Sequence, residues 1–467
     1  MRRSPEQLRR DALRIWHAGV DAVRSERLVR EALRVERSTL VVAGERLPLD
    51  AVGKIVVVGA GKAGAGMAAA VEEVLGPRIC DQKQLTGWVN VPEDCVRSLS
   101  RIRLHGARPP GVNEPTPAGA AGSAEILRLV ESLTPKDLCL CLISGGGSAL
   151  MPAPVEAITL DDKLAVTRHL SAAGANIEEL NTVRKQLSRI KGGGLMRACR
   201  AGRLVSLVIS DVLGDPLDVI ASGPTVEDSS TPEAALEVLR RFDAPAAGIS
   251  SAVFEYLRQE QKAEGRRQKA KEPTPPCRVS NRIIGNNAAA VDAAGREAER
   301  LGYSPVMVSA DKSEGPAEEI GRAMADAAVR MRDESGPDCL VSGGEPVVKL
   351  ISAEKRGWGG RSQQLVLAAL ERLAATNLRS VPGAGGIALL SGGTDGEDGP
   401  TDAAGAILDS SILSAAREQR LDPADYLARN DAYHFFQALD ALIKTGPTHT
   451  NVCDLRVVVV DRVEKGK

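Results

Sequence analysis

One phrase recurs along this 467-residue chain and limits what it can fold into: a short apolar run, a glycine turn, then a helix-like stretch. Ile55–Val58 runs into Gly59-Ala60-Gly61-Lys62, and Leu138–Ile143 into Ser144-Gly145-Gly146-Gly147-Ser148. Leu204–Ile209 runs into Ser210-Asp211, and Arg282–Ile284 into Gly285-Asn286-Asn287. Cys339–Val341 leads to Ser342-Gly343-Gly344-Glu345, and Ile387–Leu390 to Ser391-Gly392-Gly393-Thr394-Asp395. The apolar runs do not alternate with polar residues, so each predicts a strand buried on both faces. That is the pattern of an α/β fold with mainly parallel sheets flanked by helices. Ligands of such sheets bind beyond the carboxyl ends of the strands, where these turns lie.

Two other stretches set the organisation. Leu8, Leu13, Ile15, Val20, Val23, Leu28 and Leu33 recur near helical spacing, so the first 40 residues read as packing helices. Gln259 to Pro276 is charged, then proline-rich, without apolar periodicity, and reads as a loop or domain boundary. We place the division near residue 275, giving domains 1–275 and 276–467.

Composition narrows the function. The 60 basic and 61 acidic residues nearly cancel, so no charge excess points to nucleic acid or an anionic membrane. With three Trp, four Tyr and four Phe, the core must be aliphatic, and few rings could stack on single-stranded bases. The 46 glycines follow no Gly-X-Y period, which excludes collagen. Eight cysteines without metal-like spacing read as small buried hydrophobes of a reducing, cytoplasmic setting. No apolar run approaches the roughly 18 residues of a membrane span, and Met1-Arg2-Arg3 is not followed by a signal-like apolar segment.

The turns carry the chemistry. Gly59-Ala60-Gly61-Lys62-Ala63-Gly64 matches G-x-G-x-x-G between a strand and a helix. A dinucleotide fold would also want an acid at the end of the next strand, and Thr86–Val91 offers Asn90 instead. Lys62 suits a phosphate or carboxylate; a tight turn without a ligand is the plain alternative. Ser144, Gly145, Gly146, Gly147 and Ser148 offer consecutive amides and two hydroxyls, a phosphate cradle or a flexible turn. They do not match the G-x-S-x-G of a serine hydrolase. After Asn181, the residues Arg184, Lys185, Arg189 and Lys191 gather positive charge before a triple glycine, suiting an anion or simply a solvated face. Asp211 and Asp215 at a strand end suit Mg²⁺ or helix caps. Arg361 opens a helix after Gly359-Gly360, an anion-binding arrangement. Asp395, Glu397, Asp398 and Asp402 crowd one loop, which matches the EF-hand pattern poorly. Cradles, cations and carboxylates on strand-end loops are together what phosphoryl transfer needs.

Several blocks then become recognisable. Ser144-Gly-Gly-Gly-Ser148, Leu180-Asn-Thr-Val-Arg-Lys185, Lys191-Gly-Gly-Gly194, Ser210-Asp-Val-Leu-Gly-Asp215 and Ile220-Ala-Ser-Gly-Pro-Thr225 resemble the glycerate 2-kinase family, the class II or MOFRL-type glycerate kinases. So do Ser342-Gly-Gly-Glu345, Gly359-Gly-Arg361, Thr394-Asp-Gly-Glu-Asp-Gly-Pro-Thr401 and Thr445-Gly-Pro-Thr448. The resemblance spans nearly the whole chain, in order. It implies a Rossmann-like α/β/α domain followed by a MOFRL-type α/β domain, with the active site in the cleft between them. It implies ATP- and Mg²⁺-dependent phosphorylation of D-glycerate to 2-phosphoglycerate. Lys62 and Arg361 match the family's proposed catalytic pair. Gly59, Gly61, Ser144, Gly145, Gly146, Gly147, Ser148, Asn181, Arg184, Lys191, Glu345 and Thr394 are the expected phosphate- and substrate-binding residues. Asp211, Asp215, Asp395 and Asp398 are the candidates for Mg²⁺ or for orienting glycerate hydroxyls. The chain departs at Ser362 and Gln364, where the family commonly has Asn and Glu. The alternative activity is an NAD(P)H-dependent hydroxypyruvate reductase, a label some relatives have carried. The expected partners are ATP and glycerate, with a homo-oligomer left open.

Overall fold

The computed structural model describes residues 3–110, 112, 114–267, 277–375 and 386–462. The chain divides into two compact units, Ser25–Ile284 and a second made of Met1–Arg24 with Gly285–Lys467. The division near residue 275 falls outside the described residues.

The Ser25–Ile284 unit begins with a helix and a three-stranded antiparallel meander, β1 (Leu33–Glu36), β2 (Thr39–Val42) and β3 (Glu45–Pro48). Leu33 therefore starts a strand, and the helical reading of the first 40 residues holds only through Pro5–Ala22 and Ser25–Ala32. Its main sheet contains β4 (Ile55–Ala60), β5 (Thr86–Pro92), β6 (Ile102–Arg108), β7 (Leu138–Ile143), β8 (Arg203–Ile209) and β9 (Arg278–Gly285), in the order β6-β5-β4-β7-β8-β9. The pairings from β6 to β8 are all parallel. Val56 and Val58 of β4 join Ile126, Leu127 and Val130 of the helix Pro117–Glu131 in one core. Val57, pointing to the opposite face, is equally buried. Thr116, Thr159 and Asn176 cap the helices that follow them, satisfying amides that would otherwise be orphaned. Numbered within the sheet, the order is 3-2-1-4-5-6, whose direction reverses between β4 and β7. That reversal opens a crevice at the carboxyl ends of those two strands.

The second unit has a different sheet. It contains β10 (Pro305–Ser309), β11 (Cys339–Gly344), β12 (Ile387–Gly393), β13 (Gly405–Leu408), β14 (Leu442–Ile443) and β15 (Asp454–Val460), in the order β10-β11-β15-β12-β13-β14. Only β10–β11 is parallel; β15 runs antiparallel to both neighbours, and β12–β13 and β13–β14 are antiparallel too. The expectation of a mainly parallel sheet is corrected here. Continuous burial of β15 marks a central strand, and burial does not encode direction. The helix Pro5–Ala22 packs on this sheet through Leu8, Ile15, Trp16 and Val20, beside Leu455 and Val457. Gly19 is required there, since a Cβ would lie 2.4 Å from Leu455 Cδ2. No helix among the described residues is long and apolar enough to cross a membrane, and all eight cysteines are free thiols.

Candidate active site

In the Ser25–Ile284 unit, the two glycine loops meet at the β4/β7 reversal. The Lys62 amide donates to Gly145 O (2.9 Å), the Ala63 amide to Ser144 Oγ (3.0 Å) and the Gly61 amide to Asn90 O (3.2 Å). The glycines let strands approach: a Cβ on Gly59 would sit 2.0 Å from Leu142 O, and one on Gly61 2.0 Å from Ser144 Oγ. Gly59 and Gly61 thus present their open sides to β7 and its loop, and Ser144 is buried as their partner. The half-buried Lys62 side chain runs past Gly146, with Cγ 3.7 Å from the position a Cβ would take there; Arg108 Nη2 is 3.2 Å from the same point. Asn90, where a ribose-binding acid would stand, is buried and donates to Leu150 O (2.8 Å).

A polar network lies next to this crevice. Lys191 Nζ donates to Ser148 O (2.8 Å), Ser148 Oγ (2.6 Å) and Ser222 Oγ (3.5 Å), and the Ser222 hydroxyl donates to Asn181 Oδ1 (3.0 Å). Ser148, Asn181 and Lys191, three of the expected binding residues, come together here. Ser222 joins them although its motif offered only small residues. Ala221, Ser222 and Gly223 all have positive φ (51°, 61° and 62°), a run that costs non-glycine residues of order 1 kcal/mol each. Burial, with Arg184 and Lys163 nearby, pulls the Lys191 ammonium well below the ordinary lysine range. Burial likewise lowers Arg184. The other two predicted cations are neutralised: Lys185 pairs with Asp218 (3.4 Å) and Asp228 (3.6 Å), and Arg189 with Glu131 (3.5 Å). Asp211 and Asp215 lie half-exposed on the loop after β8.

The second unit gathers charge around Arg361, at the start of the helix Arg361–Ala375. Arg361 grips Asp454 with two bonds, Nε–Oδ2 2.7 Å and Nη2–Oδ1 3.0 Å, and reaches Glu345 Oε1 with Nη1 (2.8 Å). The antiparallel setting of β15 creates this meeting, because Asp454 pairs with Gly344 on one side and Gly393 on the other. Burial works against the Arg361 charge, but Asp454 and Glu345 outweigh it and raise its pKa. Burial raises Glu345, with Arg361 pulling the other way. Asp398 is buried and accepts the helix amides of Ser362 (3.0 Å) and Gln363 (2.8 Å). Burial and the nearby Asp454 push its carboxyl up to about 7 against those amides.

The remaining positions are spent inside the fold. Thr394 is buried, its hydroxyl donating to Cys453 O (2.7 Å) and accepting from the Val452 amide (2.9 Å). Asp395 Oδ1 accepts from the Glu397 amide (3.1 Å). The two departures face inward: Ser391 Oγ donates to Ser362 Oγ (2.9 Å), and Gln364 Nε2 donates to Glu318 Oε1 (3.0 Å) and Leu427 O (3.1 Å). Among the described residues no group of three or more His, Cys, Asp or Glu is disposed to hold a metal ion.

Comparison with known proteins agrees with this architecture. Residues 11–258 match a domain of unknown function, DUF4147, and residues 338–454 match the MOFRL family. A glycerate kinase of Danio rerio is 36% identical over 502 residues, spanning 96% of this chain and 96% of its own. A protein of Agrobacterium vitis bearing hydroxypyruvate reductase as a provisional name is 38% identical, over 87% of this chain and 100% of its own. The crystal structure of a glycerate kinase from Thermotoga maritima superimposes with a TM-score of 0.78 at 34% identity, covering 97% of this chain and 100% of that one. Likeness of this depth, over both units and in both sequence and fold, means that the chain belongs to the glycerate kinase family.

Proposed function

We propose that the protein transfers the γ-phosphoryl group of ATP to the 2-hydroxyl of D-glycerate, releasing ADP and 2-phosphoglycerate. The observation that carries this reading is the end-to-end likeness to glycerate kinases. In the reaction a bond forms between the glycerate oxygen and Pγ while the Pγ–O bond to ADP breaks, and the hydroxyl proton is lost to solvent or base. Little covalent chemistry is left to the protein, so catalysis is positioning and charge stabilisation. Lys62, at the β4/β7 reversal, and Arg361, held by Asp454 and Glu345, are our candidates for stabilising the charge of the moving phosphoryl. The Lys191–Ser148–Ser222–Asn181 network, with Arg184, is our candidate for holding an anionic substrate.

Mg²⁺ would neutralise phosphate charge when bound. It commonly takes one or two carboxylates and leaves its other positions to water and substrate phosphates. Asp211 and Asp215, half-exposed beyond a strand end, suit that limited role. Asp398 suits it poorly, because both its oxygens already accept helix amides.

The test follows ADP release with D-glycerate and Mg-ATP, and NADH loss with hydroxypyruvate. ADP release alone, with the product phosphate located on C2 by NMR, supports the kinase. NADH loss alone would replace it with the reductase, which would hold its pyrophosphate at the Gly59–Gly64 loop.

A further inference from the structure

Lys163 belongs to none of the motifs above. It lies on the helix Leu160–Ala172, on the same buried stripe as Val166 and Leu170, which pack against Val183 and Leu187. Lys163 is 6% exposed, and its Nζ has no hydrogen-bond partner among the described residues. A buried ammonium ordinarily finds a carboxylate or carbonyl, because an unpaired charge taken out of water is costly. Lys163 has instead two cations for company. Arg184 follows Val183 on the helix packed against that of Lys163; its charge disfavours that of Lys163, and Lys163 in turn disfavours that of Lys191. Among the described residues none of the three makes an ion pair with an acid, whereas the adjacent Lys185 and Arg189 do. Three basic side chains without an acidic partner among the described residues, Lys163 and Arg184 on the packed helices Leu160–Ala172 and Ile177–Gln186 and Lys191 on the Ser148 and Ser222 hydroxyls, describe a site whose missing member is an anion. The enclosure of Lys163 favours a small one: a carboxylate on a short hydroxy acid, whose hydroxyls would meet Ser148, Ser222 and Asn181.

We propose that Lys163, with Arg184 and Lys191, forms the subsite that binds the carboxylate of the acceptor hydroxy acid, Lys163 supplying its innermost positive charge. This rests on the reading of the protein as a hydroxy-acid kinase, and names the group that selects the acceptor.

The test compares wild type with Lys163→Met, which keeps an unbranched stem one atom shorter and removes the charge, and with Lys163→Arg, which keeps the charge. Thermal shifts are recorded without turnover, with D-glycerate, inorganic phosphate and Mg-ATP added separately. KM values for both substrates are measured alongside. The expected result is that Lys163→Met loses the D-glycerate shift and raises the glycerate KM about tenfold to a hundredfold, the weight of a charge-assisted hydrogen bond. The Mg-ATP shift and the ATP KM should stay within about twofold of wild type, and Lys163→Arg should recover part of the glycerate affinity. An unchanged glycerate KM with a higher melting temperature would overturn the proposal and leave Lys163 as an unneeded buried charge. Loss of the Mg-ATP or phosphate shift with glycerate binding retained would also overturn it, by assigning the site to a phosphate. Absence of ADP release by wild type would strike the kinase reading itself, whereas wild-type turnover with an unaffected variant would strike only the subsite.

Discussion

Arg361 and Asp454 form a two-bond ion pair across the start of β15, with Asp454 itself buried. The pair holds the guanidinium in one plane, with Nη1 on Glu345. A guanidinium held this way is oriented before any ligand arrives, which is the preorganisation that charge stabilisation requires.

Removing Arg361 should therefore cost both turnover and stability. Arg361→Ala leaves Asp454 buried without its partner, a loss of about 3 kcal/mol, the lower end for breaking a buried pair. Arg361→Met combined with Asp454→Asn should restore much of that stability while kcat stays low. Urea denaturation and steady-state kinetics on the same samples check this; a double variant with wild-type kcat would remove Arg361 from the reaction.

Lys62 offers the cleaner test of catalysis. Its main-chain amide bond to Gly145 survives any side-chain change. Lys62→Ala should keep the melting temperature close to wild type and lower kcat by about a hundredfold or more, as for other deletions of a charge-stabilising group.

Gly61 should tolerate no side chain. Its φ is 150°, and a Cβ would overlap Ser144 Oγ at 2.0 Å and Ser144 O at 2.7 Å. Gly61→Ala should cost about 1–3 kcal/mol as an overpacked contact. Ser144→Ala in the same chain should relieve only part of it, because the second contact is main chain; calorimetry of the single and double variants measures this.

Gln364→Glu would restore the acid common in the family, yet here it should destabilise. The amide nitrogen that serves Glu318 and the Leu427 carbonyl would be replaced by an oxygen facing both. The expected cost is about 1–3 kcal/mol for the unsatisfied group, with the Mg²⁺ dependence of kcat unchanged. A gain in Mg²⁺ affinity would show that this position contributes to metal binding.

The buried lysines should leave a mark on stability against pH. Burial and Arg184 lower Lys163 to about 7, from an ordinary 10.5. Between those values the unfolded chain binds the extra proton, so stability should rise as pH increases through that window and be least below about pH 7. One such group contributes at most about 1.4 kcal/mol per pH unit. Lys163→Met should remove one proton's worth of the slope and leave the part due to Lys191, as urea unfolding from pH 6 to pH 10 would reveal.

Much of this arrangement is legible in the sequence. An unbroken apolar run ending in glycine marks a buried strand and its turn, which is how β4, β7, β11 and β12 can be placed. Direction is not written there, and β15, which no glycine-turn phrase follows, is not among the strands the sequence marks, although it is the central strand and runs against both neighbours. Glycine is legible as a need for space, but not what fills the space; at Gly59 and Gly61 it is the chain's own β7 and following loop. Asp398, one acid among four on its loop, gives no sign that two helix amides claim it. Lys163, directly after Asp161 and Asp162, belongs to none of the motifs that the sequence singles out. Its spacing to Val166 and Leu170 was the available signal, and a lysine on an apolar stripe is easily taken for the edge of that stripe.

The central place of β15 has a consequence for synthesis. Residues 25–284 form a contiguous stretch whose strands are all made before β10 emerges from the ribosome, so that unit can condense while translation continues. The other unit must wait. Its N-terminal helix is made first, with Trp16 and its apolar neighbours lacking the sheet they will cover, and β11 and β12 cannot be joined until the last described strand slides between them. During that interval the nascent chain carries an uncovered helix and two unpaired strand edges, the kind of surface that chaperones recognise.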